Sequence, residues 1–202
     1  MEVCLGIEPV MQPRPSRNSG GDCFACAMTA ALRYLYPDVE TTFDRAFELF
    51  REKYYQSEKT CIANDWVGLQ HALDKACDEF GSLEVEIDIV DPRFNLKHFG
   101  YGWLLALESD RYVLRLEGWL RGGWVAFTQI SFSGGGPLAV IDHFVLIDGV
   151  RKLWEPMESG GSSLNEYVHV VCSVKGAYWI RALDFLRNHG GAALMLCRRE
   201  QY

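Results

Sequence analysis

The chain has 202 residues, of which 49% are hydrophobic and 23% are charged, and its formal net charge at pH 7 is −7. These values are typical of a soluble globular protein, and the length fits one domain with a sizeable core. The acidic balance argues against nucleic acid as a partner, because phosphate binding needs clustered Lys and Arg, and no apolar run reaches the roughly 20 residues that cross a membrane.

The cysteines and the N-terminal residues bear on the cellular compartment. The chain has seven cysteines without regular spacing, which argues against a disulfide framework and favours a reducing compartment. The first eight residues have no basic segment followed by an apolar run, so we expect no secretory signal. A cytoplasmic location follows, with delivery into another cell as an effector as the alternative.

The first part of the chain predicts a loop followed by helices. Residues 8–21 contain prolines and glycines without periodicity, which is typical of an extended loop. A helix then begins at Asp22, a good N-cap, and Pro37 ends it. Apolar residues at helical spacing predict two more helices, over about 42–55 and 64–80.

After Gly81 the pattern changes to that of strands. Residues 83–90 alternate strictly between apolar and acidic side chains, which predicts a strand with one wet face. Further predicted elements are strands over 102–108, 111–118, 124–132, 139–148, 151–156, 167–174 and 192–197, and a helix over about 177–188. Helices first and antiparallel strands afterwards predict the α+β class, in a single domain with a helical lobe over about 1–81 and a sheet lobe over about 82–202.

Cys23 is the candidate nucleophile because it falls in the first turn of the predicted helix that begins at Asp22. Unpaired backbone N–H groups and the positive end of the helix dipole favour a thiolate there. Gly20 and Gly21 precede it, and glycines allow a substrate backbone to approach closely. The other reading of Cys23 is a small buried residue of an apolar helix.

His143 is the candidate base. It lies with Asp142 inside an otherwise apolar predicted strand, and such a pair is costly to bury unless it is paired or used. A turn at Asp148-Gly149 would fold the next strand back and bring Glu155 level with His143. Glu155 is therefore the candidate that orients the imidazole.

A thiol hydrolase also needs donors for the oxyanion. The backbone N–H of Cys23 can supply one of them. A side-chain amide shortly before it can supply the other: Asn18 is favoured for its reach, and Gln12 is the alternative.

These motifs resemble those of the papain-like cysteine peptidases. Gly21-Asp22-Cys23-Phe24-Ala25 is similar to the Gly-Ser-Cys-Trp-Ala stretch of that family, and Asp142-His143 before an apolar strand is similar to its histidine strand. The family usually has Gln six residues before the cysteine, where this chain has Arg17, and Asn or Asp where it has Glu155. The two motifs are also similar to those of the peptidases that process bacteriocin leaders and of papain-fold bacterial effector proteases.

The resemblance implies a papain-like fold and a cysteine peptidase that forms an acyl-enzyme on Cys23. It implies a protein or peptide substrate and no cofactor or metal, and it leaves the oligomeric state open. A transglutaminase, deamidase or amidase would use the same site, since the acylation half-reaction is shared. A second alternative is an inactive papain-fold binding protein.

Cys23 and Cys26 form a C-x-x-C motif, which makes a dithiol redox protein a third alternative. A zinc site built on this motif would need a second ligand pair. His169 and Cys172 have similar spacing, but on a strand they face opposite sides.

Overall fold

An antiparallel sheet with helices on both faces forms the described part of the chain. The computed structural model describes residues 1–12, 22–54, 83–89, 102–130 and 143–199. The described helices are α1 (Asp22–Leu35), α2 (Phe43–Tyr54), α3 (Gly102–Arg121) and α4 (Ala182–His189). The described strands are β1 (Glu2–Cys4), β2 (Leu83–Ile89), β3 (Val125–Ile130), β4 (His143–Pro156), β5 (Ser162–Cys172), β6 (Gly176–Arg181) and β7 (Gly190–Arg199).

The first two helices lie where the sequence predicts them. α1 begins at Asp22, and its side chains are buried along nearly the whole helix. Before α2, the Oγ1 of Thr42 accepts a hydrogen bond from the backbone N–H of Arg45 at 3.2 Å, which is the contact of an N-cap residue. The predicted helix over 64–80 lies outside the described residues.

The sheet has the strand order β2-β7-β3-β4-β5-β6, and β1 pairs with β4. All the described pairings are antiparallel. Helices together with a large antiparallel sheet confirm the predicted α+β class. β1 joins the sheet from the N-terminus and α3 lies between strands along the chain, so helices and strands alternate more than the predicted division at residue 81 implies.

Each face of the sheet carries its own core, because successive side chains of a strand point to opposite faces. Phe144 and Leu146 of β4 pack in the core that contains Phe24, Met28 and other residues of α1. Val145 and Ile147 lie in the core on the other face, which contains residues of α3 and α4. Each strand residue near the site therefore belongs to one of two distinct layers.

Two predictions about secondary structure are wrong. The segment predicted as strands over 102–108 and 111–118 is the single helix α3, whose Tyr112, Leu116 and Leu120 are buried at a spacing of four residues. The two strands predicted over 139–148 and 151–156 are, from His143 onward, the continuous strand β4 (His143–Pro156). The predicted helix over 177–188 begins later, at Ala182, after β6.

Candidate functional site

Cys23 lies in the first turn of α1 and is buried, with 2% of its surface exposed. The next residue, Phe24, packs edge-to-face on Phe144 of β4, with ring centroids 5.0 Å apart. Since Phe144 follows His143 directly, this contact places the N-terminal end of α1 against the start of β4. The structure thus brings together the two segments that carry the candidate nucleophile and base.

His143 is the first residue of β4 and is 5% exposed. It pairs across the sheet with Ile130, which belongs to the core on the α3 and α4 face. Its Nε2 lies 3.3 Å from the Sγ of Cys172, the last residue of β5. The alternation of the strand therefore points the imidazole to the face opposite that of Phe144, where it meets a second thiol.

The sequence analysis names Cys172 only as a possible zinc ligand together with His169. Cys172 is fully buried, and its Sγ accepts hydrogen bonds from the backbone N–H groups of Val174 and Lys175, both at 3.4 Å. These donors come from the turn that joins β5 to β6. Gly176, three residues after this turn begins at Ser173, is a weak signal in the sequence for a turn at this place.

Gln12 is anchored to the turn that follows Cys172. Its backbone N–H donates a hydrogen bond to the carbonyl of Ser173 at 2.9 Å. Asn18, the favoured oxyanion donor in the sequence analysis, lies outside the described residues. Of the two candidate amides, Gln12 is therefore the one whose place in the fold is known.

Glu155 does not lie near His143, so the prediction that it orients the imidazole is wrong. The expected hairpin at Asp148-Gly149 is absent because β4 continues through these residues. A strand rises about 3.3 Å per residue, so the two ends of this 14-residue strand lie tens of ångströms apart.

Other side chains surround the carboxylate of Glu155. Asn165 and Tyr167 donate hydrogen bonds to it, and Arg181 donates one at 2.9 Å. The hydrogen bond from Tyr167, with those from Arg181 and Asn165, holds the pKa of this carboxyl below its ordinary value. These contacts give Glu155 a structural role on β4 and its neighbours.

Cys26 is buried on α1 with 1% of its surface exposed. Burial, together with the charges of Cys23 and Asp22, raises the pKa of its thiol to about 12. A resolving cysteine of a dithiol redox site needs an accessible thiol that ionises readily. Both properties of Cys26 argue against the redox reading of the C-x-x-C motif.

His169 and Cys172 do not form a ligand pair. The Nδ1 of His169 contacts the carboxylate of Asp148 at 2.6 Å, whereas Cys172 contacts His143 on the other face of the sheet. The expectation that residues three apart on a strand face opposite sides is confirmed.

Comparisons with known proteins find a likeness in structure without a match in sequence. No protein-family model matches the chain, and neither does any curated protein. Among solved structures, the chain is similar to the crystal structure of a double glycine motif protease from an AMS/PCAT transporter in complex with the leader peptide. The sequences are 15% identical, the TM-score is 0.48, and the alignment covers 96% of this chain and 92% of that chain. Within the described residues, no helix has the length and apolar character needed to cross a membrane.

Proposed function

We propose that this chain is a thiol hydrolase of the papain-like type, a cytoplasmic cysteine peptidase with Cys23 as nucleophile and His143 as general base. The observation that carries the proposal is the packing of Phe24 on Phe144 at 5.0 Å, because these residues directly follow the two proposed catalytic residues. It supports a site at the point where the N-terminus of α1 meets the start of β4. The resemblance of both motifs to those of cysteine peptidases supports the same assignment.

The contacts of His143 determine which nitrogen of its imidazole can exchange a proton with Cys23. Its Nε2 is engaged by Cys172 at 3.3 Å, so proton exchange with Cys23 runs through Nδ1. Cys23 lies in the core on the α1 face and the imidazole points to the α3 and α4 face, so the mechanism requires the two side chains to meet around the end of β4, where His143 is the first residue. Cys172 then takes the orienting role that the sequence analysis gave to Glu155.

The reaction has two halves. The Cys23 thiol gives its proton to His143, and the sulfur attacks the peptide carbonyl carbon. The oxyanion that forms is stabilised by the backbone N–H of Cys23 and by the side-chain amide of Gln12. The carbon–nitrogen bond then breaks, and the amine leaves with the proton from His143. In the second half, water loses a proton to His143 and attacks the thioester, which releases the acid and restores the thiol.

Hydrolysis of a library of internally quenched peptides tests the proposal. The wild-type chain is expected to cleave a subset of the library, and Cys23→Ser and His143→Ala are expected to lose this activity. Cys26→Ala is the matched control, since it removes a buried thiol three residues along the same helix and should keep the activity. Wild-type activity in Cys23→Ser overturns the assignment of the nucleophile.

Two further measurements separate the alternatives. A labelled primary amine added to the same reaction reports acyl transfer, so amine incorporation without any cleavage replaces the peptidase by a transglutaminase. Mass spectrometry of the trapped acyl-enzyme identifies the sulfur that carries the acyl group. Cys172 is the second candidate because of its contact with His143. Cys23 has the advantage of the first turn of a helix, where a thiolate is favoured, and we expect the acyl group on Cys23.

A further inference from the structure

Three potential metal ligands converge where β1, β4 and β5 meet. The Nδ1 of His169 lies 2.6 Å from Oδ1 of Asp148 and 3.7 Å from the Sγ of Cys4. The ligand atoms of these three residues all lie within 4.8 Å of one another. None of the three belongs to the proposed peptidase site.

The pairing of the strands explains how Cys4 and His169 meet. Cys4 lies opposite Gly149 on β4, and Gly149 lies opposite His169 on β5. Neighbouring strands are about 4.8 Å apart, so the side chains of Cys4 and His169 face each other across a glycine. A Cβ at Gly149 would lie 3.0 Å from both the carbonyl oxygen of Val3 and the Cβ of His169. The missing side chain therefore keeps the space in which the two ligands meet.

A β-bulge supplies the third ligand. Ile147 pairs with Val170 and Gly149 pairs with His169, so Asp148 is an extra residue in β4. A bulge locally redirects the side chains of its strand, and here the buried carboxylate of Asp148 contacts His169. Its other oxygen, Oδ2, accepts a hydrogen bond from the backbone N–H of Ile7 at 2.8 Å, which leaves Oδ1 directed at the imidazole.

The arrangement differs from that of a catalytic triad. In a triad the acid and the nucleophile use different nitrogens of the imidazole, so that a proton can pass along the series. Here both Cys4 and Asp148 approach the same nitrogen, Nδ1 of His169. A catalytic triad is a chain of hydrogen bonds through both nitrogens of the imidazole. Three ligand atoms gathered at one nitrogen are instead the arrangement expected around a metal ion.

The distances and ligand types suit zinc. Tetrahedral zinc with bonds of about 2.3 Å to sulfur and 2.0 Å to nitrogen places these two atoms roughly 3.5 Å apart, close to the 3.7 Å between Cys4 and His169. The nitrogen of His169 and the oxygen of Asp148 would have to separate by roughly 0.7 Å to reach the same geometry. A thiolate and a carboxylate neutralise the charge of Zn²⁺, and a neutral imidazole completes a common ligand set.

The surroundings hold the ligands and leave one side open. The indole of Trp179 packs on the imidazole of His169 with ring centroids 4.8 Å apart, which restricts the rotation of the ring. Cys4 is an exposed residue, whereas 14% of the His169 side chain and none of the Asp148 side chain is exposed. Solvent therefore reaches the site from the side of Cys4, where water can complete a fourth coordination position.

We propose that Cys4, Asp148 and His169 bind one zinc ion, with water as the fourth ligand, and that this ion fastens β1 to β4 and β5. On binding, the thiol of Cys4 releases its proton to solvent, and the imidazole of His169 keeps its proton on Nε2. The three ligands come from β1, from β5 and from the bulge in β4, so the ion links three strands. The site is independent of the proposed peptidase activity.

Cobalt titration of metal-free protein tests the proposal, because a cobalt–thiolate bond gives a near-ultraviolet absorption band. We expect one equivalent of Co²⁺ to produce this band and Zn²⁺ to displace it. The band should disappear in Cys4→Ser, and binding should be at least tenfold weaker in His169→Gln. Cys26→Ala is the matched control and should bind as the wild type does, since the C-x-x-C motif is the other plausible thiol site.

A second measurement needs no variant. Iodoacetamide should alkylate Cys4 in the metal-free protein and spare it when Zn²⁺ is bound, and peptide mapping by mass spectrometry reports both states. The melting temperature should also rise with Zn²⁺, because the ion binds the folded chain. A wild-type chain without the cobalt–thiolate band, a band that survives Cys4→Ser, or a band lost in Cys26→Ala overturns the proposal.

Discussion

The Nε2 of His143 lies 3.3 Å from the Sγ of Cys172, and both side chains are buried. The sulfur also accepts hydrogen bonds from the backbone N–H groups of Val174 and Lys175, so its position is fixed by the turn between β5 and β6. A buried sulfur held in this way fixes the imidazole in turn. In the proposed mechanism this sulfur takes the place of the acid or amide expected beside a catalytic histidine.

Substitution of Cys172 by Ala should lower kcat by about tenfold or more, equivalent to about 1.4 kcal/mol of the barrier, because His143 loses the partner that orients it. Cys172→Ser keeps a hydrogen-bonding group and should lose less. Steady-state kinetics over a range of pH check this prediction. If Cys172 positions His143, its loss should also shift the part of the pH–rate profile that reports the ionisation of His143.

Cys197→Ala is the control for this prediction, because it removes another buried thiol of the sheet, one in the core on the α1 face. It should alter stability without moving the pH profile. An unchanged kcat and pH profile in Cys172→Ala would show that the contact with His143 has no part in catalysis.

Gln12 is expected to serve the oxyanion. Its backbone is anchored to Ser173, the residue that follows Cys172. Removal of one oxyanion donor costs roughly 100- to 1000-fold in kcat, so Gln12→Ala should reduce kcat by about that factor and change KM little. Asn18→Ala, measured in parallel, should have a much smaller effect. The reverse order of the two losses would return the role to Asn18.

The sequence predicts the parts of the fold that depend on local patterns. Asp22 marks the start of α1 because an N-cap and helical periodicity agree, and the alternation after Gly81 marks β2 because a strand with one wet face has no other simple reading. Helix α3 was missed, although Tyr112, Leu116 and Leu120 repeat at the spacing of a buried helical face. The aromatic residues of this segment favour strands locally, and packing on the sheet overrides that preference.

The error about Glu155 has a different origin, because it concerns contacts between remote segments. Asp148-Gly149 is a strong hairpin signal, but β1 pairs with β4 through Gly149, and β5 pairs along the other side. These partners hold β4 extended through the dipeptide. The glycine is needed because the carbonyl of Val3 approaches closely. A local motif cannot report a strand that comes from the first residues of the chain, so neither the bulge nor the contact of Cys172 with His143 was predictable.

Glu155→Gln should leave peptidase activity within about threefold of the wild type, because this residue lies at the far end of β4 from His143. Its effect should appear in stability instead. Hydrogen bonds from Tyr167, Arg181 and Asn165 lower the pKa of Glu155 below its ordinary value of 4.5. A lowered pKa in the folded state means that this stabilisation is present above pH 4.5 and is lost as pH falls through the lowered value.

Thermal unfolding of Glu155→Gln and wild type between pH 7 and pH 2 checks this prediction. The wild type should melt at the higher temperature near neutral pH, and the two curves should converge in acid, where the carboxyl is protonated. A constant difference in melting temperature at all pH values would mean that the charge of Glu155 does not contribute to stability. Loss of peptidase activity in Glu155→Gln would mean that Glu155 belongs to the catalytic site.

Tyr112→Phe should stabilise the protein by about 1 kcal/mol, because the buried hydroxyl of Tyr112 has no hydrogen-bond partner among the residues that the structure describes and such a group costs about 1–3 kcal/mol. Burial also raises the pKa of this phenol above its ordinary value of 10.0. The neutral form is thus fully stabilised below pH 10, and this contribution declines as pH rises further, since only the unfolded chain then ionises readily. The stability advantage of the Phe variant should therefore grow above pH 10.

Urea unfolding at pH 7 and above pH 10 measures both effects. Tyr34→Phe is the control: it changes a site that is 37% exposed and should change stability by less than about 0.5 kcal/mol. A Tyr112→Phe variant less stable than the wild type at pH 7 would show that the hydroxyl is satisfied.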